Sequence, residues 1–117
     1  MEPPSLQVHV EQSAGVPVVR VAGEVDMATA PQLREHIEEM PEGTGTLIVD
    51  LTDVTFLDST GLSVLVAAWK QLASDGATAG GDLRLVVVGP AIQKVLEITG
   101  LSGVFSIFST VAEALAG

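Results

Sequence analysis

Leu47-Ile48-Val49-Asp50-Leu51-Thr52-Asp53-Val54-Thr55-Phe56-Leu57-Asp58-Ser59-Thr60-Gly61-Leu62 passes from a nearly unbroken apolar run to the spacing of a helix. Residues 46–51 predict a strand buried on both faces, as in a parallel sheet covered by helices. Leu62, Leu65, Val66, Trp69 and Leu72 then recur at three- and four-residue intervals, which predicts a buried helix face with Trp69 in or at the edge of the core. A helix start carries free backbone N–H groups and the positive end of the helix dipole, so Asp58-Ser59-Thr60-Gly61 can receive negative charge. A phosphate there could belong to a ligand, to a catalytic intermediate or to a modified Ser59. Asp58 and Ser59 are also both good N-cap residues, a role worth on the order of 1 kcal/mol, and that role alone would account for them.

Upstream, Leu6 to Gln12 alternates, with Leu6, Val8 and Val10 on one face and Gln7, His9 and Glu11 on the other. Ser13-Ala14-Gly15 supplies a turn, and Val16 to Ala22 reads as the second arm of a hairpin, with Pro17 near its start or at an unpaired edge. Thr29 precedes Gln32 in the spacing of a capping box, and Pro31 suits a first helical turn. Ala30, Leu33, Ile37 and Met40 share one face of this helix, which residues 41–45 end. A helix between the second strand and Thr46–Leu51 gives a parallel crossover.

Downstream, residues 74–81 are small and aperiodic and read as an exposed mobile loop. Leu83 to Val88 is the next strand. Gly89-Pro90 opens a helix with Ile92, Val95 and Leu96 inward, and Gly100 stands where a left-handed residue would end it. Val104–Phe108 suits a short last strand and Thr110–Leu115 a final helix.

The chain of 117 residues is long enough for one core and reads as one domain over residues 1–117, with residues 1–5 a flexible N-terminus. Aromatics make up only 3%, so Val, Leu, Ile and Ala must build the core. A formal charge of -10 opposes attraction to nucleic acid or an anionic membrane, and neither is expected as a partner. With no cysteine, disulfides and thiolate metal sites are excluded. There is neither a secretory signal pattern nor an apolar run near the roughly 20 residues of a membrane helix. A cytoplasmic location is expected.

Catalysis is poorly supported. The two histidines, His9 and His36, have no sequence reason to reach Ser59, and their spacing does not make a metal site. Asp50, Asp53 and Asp58 could hold Mg²⁺, but caps and solvated loop charges are the simpler reading. No Walker lysine follows a glycine loop. No catalytic residue, metal or cofactor is therefore expected.

Three blocks in register resemble the STAS-domain anti-sigma factor antagonists of bacteria: Gly23-Glu24-Val25-Asp26 with Thr29 to Glu35, Asp50-Leu51 through Phe56 to Leu62, and Gly89-Pro90 through Thr99-Gly100-Leu101. The resemblance implies a single α/β STAS domain, with an N-terminal hairpin and then strands joined by crossover helices. Its mixed, mostly parallel sheet would have about five strands, with about four helices. It places the phosphorylated serine at Ser59, with Thr60 the secondary candidate, and partner binding at Asp26, Thr29, Asp58, Ser59, Thr60, Gly61, Leu62 and Ser63. The implied partners are an anti-sigma factor with serine kinase activity, bound by the unphosphorylated form to free the sigma factor, and a phosphatase acting on phosphorylated Ser59. A nucleotide-binding STAS module and a structural STAS subunit of a larger signalling assembly are the alternatives. Two departures stand out: residues 74–81 are longer than the usual connection, and Ser63 replaces a frequent Gly.

Overall fold

A computed structural model describes residues 6–40, 45–74 and 82–117. The expected flexible N-terminus, most of the segment ending the first helix and nearly all of the expected loop at 74–81 lie outside the described residues. The elements are β1 (Leu6–Ser13), β2 (Val16–Val25), α1 (Ala30–Glu38), β3 (Thr46–Leu57), α2 (Ser59–Ser74), β4 (Asp82–Val86), α3 (Pro90–Ile98), a 3-10 turn (Leu101–Gly103), β5 (Ser106–Phe108) and α4 (Val111–Ala116). The strands lie in sequence order in one five-stranded sheet. The β1–β2 pair is antiparallel and the other three pairs are parallel. This is the expected α/β arrangement.

Alternation along the strands divides the core. Val19, Val21, Leu47, Val49, Leu51, Leu83 and Leu85 face one way and pack with Leu33, Ile37, Leu65, Ile92 and Leu96 of α1, α2 and α3. Their neighbours Val18, Ile48 and Val86 face the other way and meet Ala114 of α4. Trp69 is half-buried against the larger cluster, a boundary position. Arg84 holds α4 in place, donating from Nη1 to the Ala114 carbonyl at 2.6 Å near the helix C-terminus, where positive charge is favoured. Gly100 adopts φ 79° immediately after α3, the left-handed position expected of it.

The hairpin turn is strained at one position. Ala14 and Gly15 have φ of 53° and 81° between the paired Ser13 and Val16, the two positive values of a type I′ loop. Gly15 adopts this freely; Ala14 carries a Cβ in a region that Asn tolerates better.

Two expectations are corrected. Thr29 does stand at the α1 N-cap, but its side chain forms no capping bond. Its hydroxyl instead donates to the Glu24 carbonyl at 2.7 Å and accepts from the Asp26 amide at 2.9 Å. The central strand does not stop at Leu51 but runs to Leu57. Its buried residues beyond Leu51 are Val54 and Leu57, three apart, because the β2–β3 register shifts twice. Each shift accommodates one extra β3 residue, a β-bulge that replaces a spacing of two by three.

Replacing Ala14 by Asn should relieve the turn and raise stability by about 0.5–1 kcal/mol, seen as a thermal midpoint higher by a few degrees.

Candidate functional site

Parallel strands deliver the loops at their C-terminal ends to the same edge of a sheet, where α/β domains build their sites. Here the loops after β2 and β3 meet. The Asp58 amide donates to the Val25 carbonyl at 3.1 Å, joining the two strand ends directly. Asp26, Met27, Ala28 and Asp58 line an open hollow of about 480 Å³ between the loops.

The first loop is organised by Asp26. Its Oδ1 accepts from the amides of Ala28 at 2.9 Å and Thr29 at 3.0 Å, while its carbonyl accepts from the Ala30 amide at 2.7 Å. Asp26 thus gathers the amides at the start of α1, the task the sequence assigned to Thr29. Thr29 is buried, and its hydroxyl is engaged within the loop.

The second loop separates the roles of two residues that sequence left equivalent. Asp58 is the cap of α2: its Oδ1 accepts from the Gly61 amide at 3.0 Å and its carbonyl accepts from the Leu62 amide. Ser59 is the first residue of α2, and its side chain is exposed. Among the described residues its hydroxyl has no hydrogen-bond partner; only its carbonyl is used, accepting from Ser63 Oγ at 2.9 Å. Thr60 is half-buried.

Gly61 sits on the floor of this turn. A Cβ there would lie 2.6 Å from Leu57 Cδ1 and 2.7 Å from Val25 Cγ1, so the first turn of α2 rests on the ends of both strands through a missing side chain. Leu62 is buried beside it, while Ser63 is exposed and borders a shallow depression on α2 with Leu62, Val66, Ala67 and Lys70. Of the eight residues the resemblance selected, Thr29, Gly61 and Leu62 therefore shape the site from within. Ser59 and Ser63 face outward, and Asp26, Asp58 and Thr60 are half-buried between them.

Met27, 76% exposed, was missed by the sequence reading. Nothing in its local pattern sets it apart, because its exposure follows from the loop path that Asp26 enforces. Phe56, 49% exposed on β3, became legible only with the bulges.

The remaining candidates lie elsewhere. Asp50 is neither a cap nor a loop charge, contrary to expectation: it is buried in β3 and paired with Arg20. Asp53 is exposed on the same strand, paired in register with Ala22. His9 lies beside Glu11 on the sheet face away from α1–α3, and His36 Nδ1 donates to the Gln32 carbonyl within α1. The contacts of the two histidines are with Glu11 and Gln32 and not with Ser59. Among the described residues no cluster of metal-ligating side chains occurs, and no helix is long and apolar enough to cross a membrane.

This architecture has known counterparts. The STAS domain family model matches residues 7–114, so the chain belongs to the STAS family. It is 35% identical to the anti-sigma-F factor antagonist RsfB of Mycobacterium tuberculosis, over 98% of this chain and 91% of that protein. The anti-sigma-B factor antagonist of Bacillus subtilis is 34% identical, over 88% of this chain and 91% of its own. The crystal structure of an anti-sigma factor antagonist from Mycobacterium paratuberculosis superposes with a TM-score of 0.85 at 36% identity, covering 99% of this chain and 97% of that one.

Gly61→Ala should force Val25 and Leu57 apart and cost about 1–3 kcal/mol, measured by denaturant unfolding. A neutral effect would mean that the floor of the turn yields without cost.

Proposed function

We propose that this chain is an anti-sigma factor antagonist switched at Ser59. The unphosphorylated form binds an anti-sigma factor that is also a serine kinase, and the sigma factor is released. Phosphorylation of Ser59 ends the complex, and a phosphatase acting on phosphorylated Ser59 restores it. Family membership and the names of the relatives support the antagonist reading. The observation that carries the switch is the division of labour at the start of α2, where Asp58 does the capping and leaves the exposed Ser59 hydroxyl unused.

The physics of modification follows from that arrangement. A phosphoserine brings about -1.5 to -2 charges at neutral pH, placed at the positive end of α2, which can hold it without disturbing the fold. The same charge lies beside the Asp58 carboxylate in a chain already at -10, so the surface offered to a partner becomes strongly anionic. A partner packed against a neutral hydroxyl would then meet a hydrated dianion, a desolvated like-charge contact costing several kcal/mol. About 3 kcal/mol would weaken binding by roughly two orders of magnitude. No large conformational change is needed. Ser59 is a substrate in this scheme, with ATP and the catalytic base supplied by the kinase.

The hollow at the loop junction carries two carboxylates, Asp26 and Asp58, which disfavours nucleotide phosphates there. A partner protein is the better occupant of this edge, with the exposed Met27 available as an apolar contact.

Ser59→Ala should abolish phosphorylation by the cognate kinase and retain partner binding, whereas Ser59→Asp should weaken binding about tenfold or more, a change of about 1.4 kcal/mol. A Ser59→Ala protein still fully phosphorylated would defeat the assignment. Asp26→Asn keeps an oxygen for the Ala28 and Thr29 amides but loses the charge. It should reduce phosphorylation rate or partner affinity severalfold with little change in thermal midpoint. Unchanged kinetics and binding in that variant would leave Asp26 with its loop-organising role alone.

A further inference from the structure

Asp50 is a buried acid for which the proposed switch has no use, and its surroundings give it a different task. Its Oδ2 accepts from Arg20 Nη1 at 2.8 Å. Its Oδ1 accepts from both the amide and the hydroxyl of Thr52, at 3.0 and 2.5 Å. Arg20 in turn grips Glu11 through Nε at 3.1 Å and Nη2 at 3.3 Å. The hydrogen bond from Arg20 holds the Glu11 carboxyl below its ordinary value, so it remains an anionic anchor. The network therefore crosses β1, β2 and β3, and every polar atom of Asp50 within it is satisfied.

Its far end is the first bulge of β3. Arg20 pairs with Asp50 and Ala22 with Asp53, so Leu51 and Thr52 together stand against the single Val21. The amide held by Asp50 belongs to one of those two residues. The second bulge follows between Val54 and Phe56, where the Thr55 hydroxyl donates to the Gly23 carbonyl at 3.3 Å. Partner numbers differ by 30 at Val18 and Ile48 (48 − 18) and by 32 at Val25 and Leu57 (57 − 25). At about 3.3 Å per residue, the bulges draw the end of β3 back by about 6–7 Å relative to β2. That retraction lets the Asp58 amide reach the Val25 carbonyl and brings α2 out beside the Asp26 loop.

We infer that Asp50, braced by Arg20, is a positioning residue for the switch: it clamps the first β3 bulge and thereby sets where Ser59 emerges relative to Asp26. The clamp lies on the sheet face opposite α1–α3, and its hydrogen bonds go to Glu11, Arg20 and Thr52 and not to Ser59. Full register slippage is opposed by the buried Val54 and Leu57, whose side chains a one-residue slip would expose. Loss of the clamp therefore loosens residues 52–58 and leaves the rest of the sheet in place.

The inference rests on the proposed role of Ser59 only for its functional consequence, so the test has a partner-free arm. Asp50→Ala, Arg20→Gln and the charge-conserving Arg20→Lys are compared with the unsubstituted chain well below the thermal midpoint. The first readout is amide hydrogen exchange with ¹H–¹⁵N shifts; the second is phosphorylation of Ser59 by the captured kinase. In Asp50→Ala and Arg20→Gln, exchange at residues 52–58 should accelerate about tenfold or more relative to β4, a local opening easier by about 1.4 kcal/mol. The Asp58, Ser59 and Gly61 amide shifts should move, phosphorylation should slow about tenfold, and Arg20→Lys should restore both readouts to within about threefold. Exchange that rises uniformly across the sheet, or not at all, overturns the inference, as does unchanged Ser59 phosphorylation in a protein with a loosened bulge. If Asp50→Ala does not fold, Arg20→Gln carries the same decision. Should the unsubstituted chain itself not be phosphorylated at Ser59, the proposed function fails while exchange and shifts still decide whether Asp50 sets the position of the loop.

Discussion

The structure depends on the register between β2 and β3. Two parallel strands begin in step at Val18 and Ile48, and the second must spend two more residues than the first before both ends can meet. The bulges absorb those residues, and the Asp58-to-Val25 hydrogen bond closes the junction. Below it, Gly61 lets the α2 backbone settle onto Val25 and Leu57, a contact that any Cβ would obstruct. The loop edge is thus a consequence of strand register and of one missing side chain. It needs no long excursion of chain.

Under the proposed function, that constraint would let a small domain carry a switch without moving. The Asp58 carboxylate takes the Gly61 amide and fixes the first turn of α2, so the exposed Ser59 has a defined place at the helix start before any modification. The opposing element, the Asp26 loop, spends its own carboxylate oxygen on the Ala28 and Thr29 amides and is equally fixed. In the proposed switch, a modification at Ser59 between these two hydrogen-bonded loops changes charge and bulk at the surface and leaves the core on either side of the sheet packed. The energetic difference is then felt by whatever docks on that edge, which is what a reversible association requires.

Much of this was legible in the chain. The apolar run of Ile48, Val49 and Leu51, the alternation from Leu6 to Val10 and the periodicity from Leu62 to Leu72 express local rules that burial then enforces, and they delivered the elements and the sheet. Legibility failed where one element's conformation depends on another. Leu51, Val54 and Leu57 lack the two-residue spacing of a strand, and only the shift against β2 shows why a strand can bury residues three apart. Thr29 has the right spacing for a capping box, yet its hydroxyl donates to the Glu24 carbonyl, and Asp26 is close enough to gather the helix amides instead. Asp58 and Ser59 were interchangeable as caps until geometry assigned the bond to Asp58. The clamp at Asp50 could not be read at all, since its partners come from three strands. The family resemblance pointed to Ser59, and the structure supplies a physical reason for its availability: its neighbour has already done the capping.

The central claim is that charge added at Ser59 turns a partner away without unfolding the domain. The most direct measurement is calorimetric titration of the same kinase anti-sigma factor, captured on the unmodified chain, into unmodified protein and into protein stoichiometrically phosphorylated at Ser59. Thermal midpoints of both forms are recorded alongside. The expected affinities differ by roughly two orders of magnitude between two forms of comparable stability. Equal affinities, or a loss of binding that tracks a collapse in stability, would contradict it.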